Sequence, residues 1–243
     1  MITLLASYLT LLVLASPALF RKQARGWVIV LMIMLVGDVI ALIVGSSIQH
    51  TVFGYALHYT WGYKVFSLTF GLIFAIILIA TGEFRSRELG LSFLQAPGTG
   101  RVFLTVVLPY VVLITVQAAM RSSGKDFSLE TSLFQATMPG LTEELAFRGI
   151  YLALFDRMFA ARFRVFGAEL GYGAIATSLV FAMAHVVRFD AHFIPQVAIV
   201  PGIWMTVGAL FLVWLRCRSR SLVLPVVVHN LSNTIFHIVP KLI

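Results

Sequence analysis

The sequence predicts an all-α membrane protein, a polytopic bundle of about eight transmembrane helices, on three observations. Of its 243 residues 60% are hydrophobic and only 12% are charged, a composition outside the range of water-soluble domains. The apolar residues fall into eight runs, most of them close to the roughly 20 residues that cross a hydrocarbon core about 30 Å thick. Lysine and arginine crowd into every second connector between those runs, as the positive-inside rule requires.

In chain order the runs are 2–20, 27–49, 62–82, 102–120, 138–158, 172–187, 192–216 and 222–240. The first has no basic stretch before it and no small-residue cleavage site before Arg21, so it reads as a retained helix rather than a leader. The sixth is short. Between the third and fourth runs lies the longest charged connector, Glu83 to Arg101, in which Leu89, Leu91, Phe93 and Leu94 suit a segment lying in the interface. No internal repeat, low-complexity tract or linker divides the chain, so residues 1–243 read as a single membrane domain.

The basic connectors are Arg21, Lys22 and Arg25, then Arg85, Arg87 and Arg101, then Arg157, Arg162 and Arg164, then Arg216, Arg218 and Arg220. The other connectors and the C-terminus hold only Lys64, Arg121, Lys125, Arg188 and Lys241. One helix more or fewer would destroy this alternation. It places both termini on the non-cytoplasmic side of the plasma (inner) membrane. It also accounts for the net charge of +8, so nucleic acid is not an expected partner. The single cysteine, Cys217, excludes an intramolecular disulfide and a cysteine-based metal cluster.

A charge near the middle of a bilayer costs about 2.5–3.5 kcal/mol on insertion scales, so a polar residue inside a run needs a partner, a water-filled cavity or a task. The residues in question are Asp38 in the second run, Glu143, Glu144 and Arg148 in the fifth, His185 in the sixth, and His229, Asn230, Asn233 and His237 in the eighth. Pro139 suits a first helical turn and would put both glutamates near the positive end of a helix dipole. Glu144 and Arg148, four apart, form an ion pair on one face, leaving Glu143 free to face another helix. His229 and Asn233, also four apart, point to one neighbour.

One carboxylate, two imidazoles and an amide meet the needs of peptide hydrolysis: a base for water, donors for the developing oxyanion and an acid for the leaving amine. A buried pairing of this kind also suits a proton relay or transporter, and the Glu144–Arg148 pair reads equally as a structural device that lets the helix insert. Asn230 and His237 read as helix-packing glue. Asp38 is functional or the partner of another buried polar group. Trp27, Tyr59, Trp61 and Tyr63 fit an aromatic belt.

Taken in order, Glu143-Glu144-x-x-x-Arg148, Phe181-x-x-x-His185 and His229-x-x-x-Asn233, each in an apolar run, resemble the CAAX protease and bacteriocin-processing (CPBP) family, which includes the type II CAAX prenyl endopeptidases. The resemblance covers about 139–237, with Ser221-Leu222-Val223-Leu224-Pro225 similar to the family's approach to its last motif. It implies an eight-helix glutamate-dependent intramembrane endopeptidase. On that likeness Glu143 and His185 activate water, His229 and Asn233 form the oxyanion hole, and Glu144 and Arg148 support them. There is no His-Glu-x-x-His, no Gly-x-Ser-Gly and no second aspartate deep in a run, so the zinc, serine and paired-aspartate intramembrane proteases do not fit.

No cofactor is expected, zinc at Glu143, His185 and His229 being the alternative. The expected partners are the lipid bilayer and a membrane-anchored protein or peptide substrate. Its site faces outward on the charge bias, so a C-terminal sorting or anchor segment at the outer face fits better than a prenylated cytosolic tail. A non-proteolytic immunity or scaffold protein that retains the same helices is the rival from outside enzymology.

Overall fold

The computed structural model describes residues 2–54, 56–121 and 128–242. Helix α1 (Ile2–Ala15) tightens into a 3-10 turn at Ser16–Phe20, where Pro17 stands near its start. Helices α2 (Arg25–Phe53) and α3 (Trp61–Ala80) follow. A short α4 (Thr99–Val102) runs through a π turn, Phe103–Val107, into α5 (Leu108–Ala119) as one span. Helix α6 (Leu129–Glu144) continues through a second π segment, Leu145–Tyr151, into α7 (Leu152–Met158). Then come α8 (Tyr172–Val186), α9 (Ile199–Ser219) and α10 (Val223–Ile238). Counting each continuous rod once, the described residues hold the eight expected helices, an all-α multi-pass bundle.

Six of these are long and apolar enough to cross a membrane. The other two are the α6–α7 rod and the 15-residue α8, and these carry Glu143, Glu144, Arg148 and His185. Their outer surfaces need less apolar length because they sit inside the bundle: Ile150, Leu154, Phe155 and Val180 are fully buried against Leu11 of α1 and Leu31 of α2. Exposed apolar residues are most numerous on α2, α3, α5 and α9, Ile33, Val36, Ile76, Val112 and Val207 among them, while α8 exposes Ile175 and Leu179 and α6 exposes Leu133 and Leu141.

The fifth helix corrects an expectation. It does not begin at Pro139 but at Leu129, with the Ser128 hydroxyl accepting from the Thr131 N–H at 3.3 Å as its N-cap. Pro139 therefore lies inside a helix, and the glutamates lie far from its positive end. Interior proline normally breaks a helix by removing a hydrogen bond and crowding the preceding turn. Here Asn230 of α10 spans the break: its Oδ1 accepts from Gly140 N at 2.7 Å and its Nδ2 donates to Thr137 O at 3.0 Å. A side chain from the neighbouring helix satisfies the disturbed backbone, as membrane depth demands.

The N-terminal part of α6 crosses the start of α3. The Trp61 indole N–H donates to Glu130 at 3.1 Å, and Lys64, one turn on, reaches Glu143 at 2.7 Å. The two glutamates are more than three turns apart, roughly 20 Å at a rise of 1.5 Å per residue, so the two axes diverge steeply. Trp61 and Tyr59 also pack on Phe134, giving two of the expected belt aromatics partners inside the protein.

Two hairpins separate the later helices where connectors were expected. Strands β1 (Arg162–Val165) and β2 (Ala168–Gly171) pair antiparallel across Phe166-Gly167, both at positive φ, the signature of a tight two-residue turn. Strands β3 (Val187–Phe189) and β4 (Pro195–Val197) pair across a loop in which Asp190 accepts from the N–H groups of His192 and Ile194. The seventh helix consequently starts at Ile199, not at 192, because residues 187–197 are committed to that hairpin.

The arginine-rich connectors gather at one end of the bundle. Arg157 lies over Phe84 and Trp27, and Arg21 lies over Phe159. The connector after α3 is built of turns rather than a helix. Its Leu89 is fully buried, while Phe93 and Leu94 are exposed, so only part of the expected interfacial segment faces outward.

Candidate active site

Four helices deliver charged or imidazole side chains to one buried cluster. Contact between α2 and α3 sets the first of them. A Cβ on Gly62 would fall 2.1 Å from the Gly45 carbonyl oxygen, so the two backbones touch as small residues permit. Lys64 follows in the first turn of α3, with Tyr63 beside it donating to Asp38 at 2.9 Å.

On α6, Glu143 and Glu144 end the α-helical stretch, and the π segment that begins at Leu145 carries Arg148. Such π insertions inside α-helices are frequent at functional sites. The expected i,i+4 pair is present: Arg148 Nη1 lies 3.1 Å from Glu144 Oε1, and neither side chain has any exposure. The guanidinium also stacks on Phe181 at 4.1 Å from the ring centre and donates to the Ala209 carbonyl at 3.4 Å.

His229 of α10 joins this pair, its Nδ1 2.7 Å from Glu144 Oε1, which leaves Nε2 turned toward Glu143 Oε2 at 3.9 Å. His185, near the end of α8, bonds through Nδ1 to the Phe181 carbonyl at 2.7 Å and turns Nε2 toward the same Glu143 oxygen at 3.6 Å. A carbonyl only accepts, so Nδ1 of His185 carries the proton and Nε2 of the neutral ring is an acceptor. Phe181 packs on both imidazoles, 4.5 Å from His185 and 5.9 Å from His229.

Glu143 is not free, which corrects the second expectation. Lys64 Nζ holds its Oε1 at 2.7 Å. Its Oε2, buried, has no hydrogen-bond partner among the described residues and faces both imidazoles. The formal charges of Lys64, Arg148, Glu143 and Glu144 cancel, which makes the cluster tolerable at membrane depth. Asn233, one turn beyond His229, is half-buried, and its side chain has no hydrogen-bond partner among the described residues.

Glu143, Glu144, Arg148, His185 and His229 thus come together, and Lys64 is the member that the sequence reading missed. It stands at the third position of the run counted from 62, where the charge alternation counts it among the connector charges. Its place in the first turn of α3, close to the end of the span, is where a lysine ordinarily snorkels to the interface. Asn230 packs helices, as expected. His237 lies beside Lys241, with Nζ 3.0 Å from its Nε2. Asp38 is a partner of polar groups: Tyr8, Tyr63 and Ser67 all donate to it. Among the described residues no three His, Cys, Asp or Glu side chains form a metal-holding group.

Membrane-crossing helices closing around neutralised carboxylates and imidazoles define a polytopic membrane protein with a buried polar centre. Residues 126–235 match the family model of the type II CAAX prenyl endopeptidase Rce1-like proteins. The matched segment contains every member of the cluster except Lys64. The family indicates an intramembrane protease of CAAX type. No curated protein and no solved structure matches the chain.

Proposed function

We propose that the protein is a glutamate-dependent intramembrane endopeptidase in which Glu143 and His185 activate water, His229 and Asn233 stabilise the oxyanion, and Glu144 and Arg148 hold His229 in place. The observation that carries the reading is Glu143 Oε2, a buried carboxylate oxygen facing two imidazole Nε2 atoms at 3.6 and 3.9 Å while Lys64 fixes the other oxygen.

Glu143 Oε2 and His185 Nε2 are two acceptors side by side, and a water bridging them donates one hydrogen to each. As the water oxygen attacks the scissile carbonyl carbon, its proton passes to Glu143 and the carbonyl π pair moves onto oxygen. The Asn233 amide donates to that oxygen, and so does His229 Nε2 when the ring carries a proton on both nitrogens, its Nδ1–H being held by the Glu144 carboxylate. On collapse the C–N bond breaks, and the proton held by Glu143 goes to the leaving nitrogen. Positioned acid–base groups of this kind contribute about 10²–10⁴-fold.

No metal enters this scheme: the Lys64 ammonium supplies positive charge at Glu143. The substrate is a membrane-anchored protein or peptide cut within or beside its transmembrane segment, such as a C-terminal sorting or anchor segment at the outer face. The arginine-poor end of the bundle, where Lys64 begins α3, supports that placement.

Mass spectrometry of membrane-protein C-termini in cells carrying the wild type or Glu143→Gln tests the proposal. New C-termini present only with the wild type, at equal protein levels and undiminished by strong chelation, are the expected result. Unchanged termini in the variant would mean a scaffold or immunity protein, and activity abolished by chelation would transfer the role to zinc.

A further inference from the structure

At the arginine-bearing end of the bundle, the connector after α3, the end of α7, the β1–β2 hairpin and the end of α9 enclose a cavity of about 1160 Å³. Eight arginines and four acidic residues line it. Charge compensation inside it is incomplete. Arg157 pairs with Glu88 at 3.1 Å and Arg162 with Asp156 at 3.2 Å. Arg216 and Arg218 are spent on backbone carbonyls, those of Arg148 and Pro97 among them. Arg85, Arg87, Arg164 and Arg220 make no ion pair with any described residue.

The positive-inside rule explains arginines in each connector separately. It does not require three connectors to converge on one concave surface lined by four more guanidiniums than carboxylates, with Glu169 across the hairpin from Arg164 and Glu83 just beyond the end of α3 included in the count. Guanidinium forks match phosphate oxygens two at a time, so the chemistry of the occupant is a phosphate ester. Its source is indicated by the rim. Leu94, which lines the cavity, is 71% exposed, and Phe93 and Phe166, next in sequence to the lining residues Leu94 and Gly167, are 92% and 88% exposed. Bare aromatic and aliphatic side chains beside arginines suit a surface that meets the acyl chains and the headgroups of a bilayer together.

We propose that this cavity binds the phosphate headgroup of an anionic membrane lipid, with Arg85, Arg87, Arg164 and Arg220 holding the phosphate and Phe93, Leu94 and Phe166 seated among the lipid chains. Purified full-length protein in nanodiscs of phosphatidylcholine with a minor fraction of phosphatidylglycerol is released into native mass spectrometry, and the retained lipids are counted. The wild type is expected to retain phosphatidylglycerol at least tenfold above its share of the bilayer. The triple variant Arg85→Gln/Arg87→Gln/Arg164→Gln is expected to lose that enrichment. The control Arg21→Gln/Lys22→Gln/Arg25→Gln, which removes as much charge from the same end outside the cavity, is expected to keep it.

Equal loss in both variants would reduce the effect to general surface charge and overturn the site, as would no enrichment in the wild type. Displacement of the lipid by sub-millimolar inorganic pyrophosphate would reassign the site to a soluble anion. If the triple variant does not fold, Arg164→Gln alone, on an exposed strand, takes its place, with an expected loss of threefold or more; unchanged enrichment in it overturns the proposal.

Discussion

Lys64 Nζ lies 2.7 Å from Glu143 Oε1, with both side chains largely buried, so the part of the chain outside the family match contributes directly to the centre of the cluster. The ion pair fixes the carboxylate rotamer and thereby aims Oε2 at His185 and His229. Replacing Lys64 by Met leaves the carboxylate with one fixed neighbour fewer and is expected to lower processing by about 10-fold or more, a part of the roughly 10²–10⁴-fold that a positioned acid–base group contributes. Lys64→Arg, which restores the charge, is expected to recover part of it. Comparing cleavage rates per folded molecule checks this; equal rates in all three proteins would reduce the pair to packing.

Arg148 and Glu144 have no exposure at all, so neither charge is relieved by water when its partner is removed. Breaking a buried pair costs about 3–5 kcal/mol, whereas replacing both partners by neutral groups is often far milder. Arg148→Met is therefore expected to lower the melting temperature in detergent sharply, and Arg148→Met/Glu144→Gln to lower it less. In the double variant Glu144 no longer anchors the His229 ring as a carboxylate, so cleavage stays impaired although the fold recovers. A double variant as unstable as the single one would contradict the account.

The sequence made the bundle legible because hydropathy and loop charge report directly on lipid and on orientation. It made Glu143, Glu144, Arg148, His185 and His229 legible because each is costly in an apolar run. Lys64 escaped because it stands one turn from a span end, where a lysine is ordinarily unremarkable. The start of the fifth helix was misread for a different reason. Pro139 obeys a local rule about first turns, and the rule was overridden by Asn230, a residue 91 positions away whose hydrogen bonds no local pattern reveals. The hairpin at Arg162–Gly171 left a faint mark, Phe166-Gly167 between short alternating stretches, that a turn reading would have used.

Asn230 carries two hydrogen bonds across the proline break, and Gly140 is the residue that lets it approach. A Cβ on Gly140 would lie 2.5 Å from Asn230 Oδ1 and 2.9 Å from the Val226 carbonyl oxygen, one contact with a side chain and one with backbone. Asn230→Ala is expected to cost about 1–3 kcal/mol by leaving buried backbone groups unsatisfied. Gly140→Ala is expected to cost as much or more by forcing α6 and α10 apart. Because Glu143 is one turn beyond Gly140, and His229 adjoins Asn230, both variants are expected to lose cleavage along with stability. Thermal unfolding in detergent, read beside C-terminal processing, checks both; a stable and active Gly140→Ala protein would show that the helices do not meet as closely as described.

Asp38 is buried in α2 and accepts hydrogen bonds from Tyr8 of α1 and from Tyr63 and Ser67 of α3. Hydrogen bonds to a charged group contribute about 1.5–3 kcal/mol each, and these three join the first three helices. Removing the carboxylate orphans all three hydroxyls at once, so Asp38→Ala is expected to destabilise more than Tyr8→Phe, which removes one donor and leaves two. The aspartate touches no member of the cluster, and it acts there only through Tyr63, the neighbour of Lys64. Tyr8→Phe is accordingly expected to retain near-normal cleavage per folded molecule, while Tyr63→Phe, by loosening the turn that carries Lys64, is expected to lower it severalfold. Rates for the two variants normalised to folded protein separate these outcomes: equal effects would place Asp38 in scaffolding alone, and a large loss in Tyr8→Phe at full stability would bring it into the chemistry.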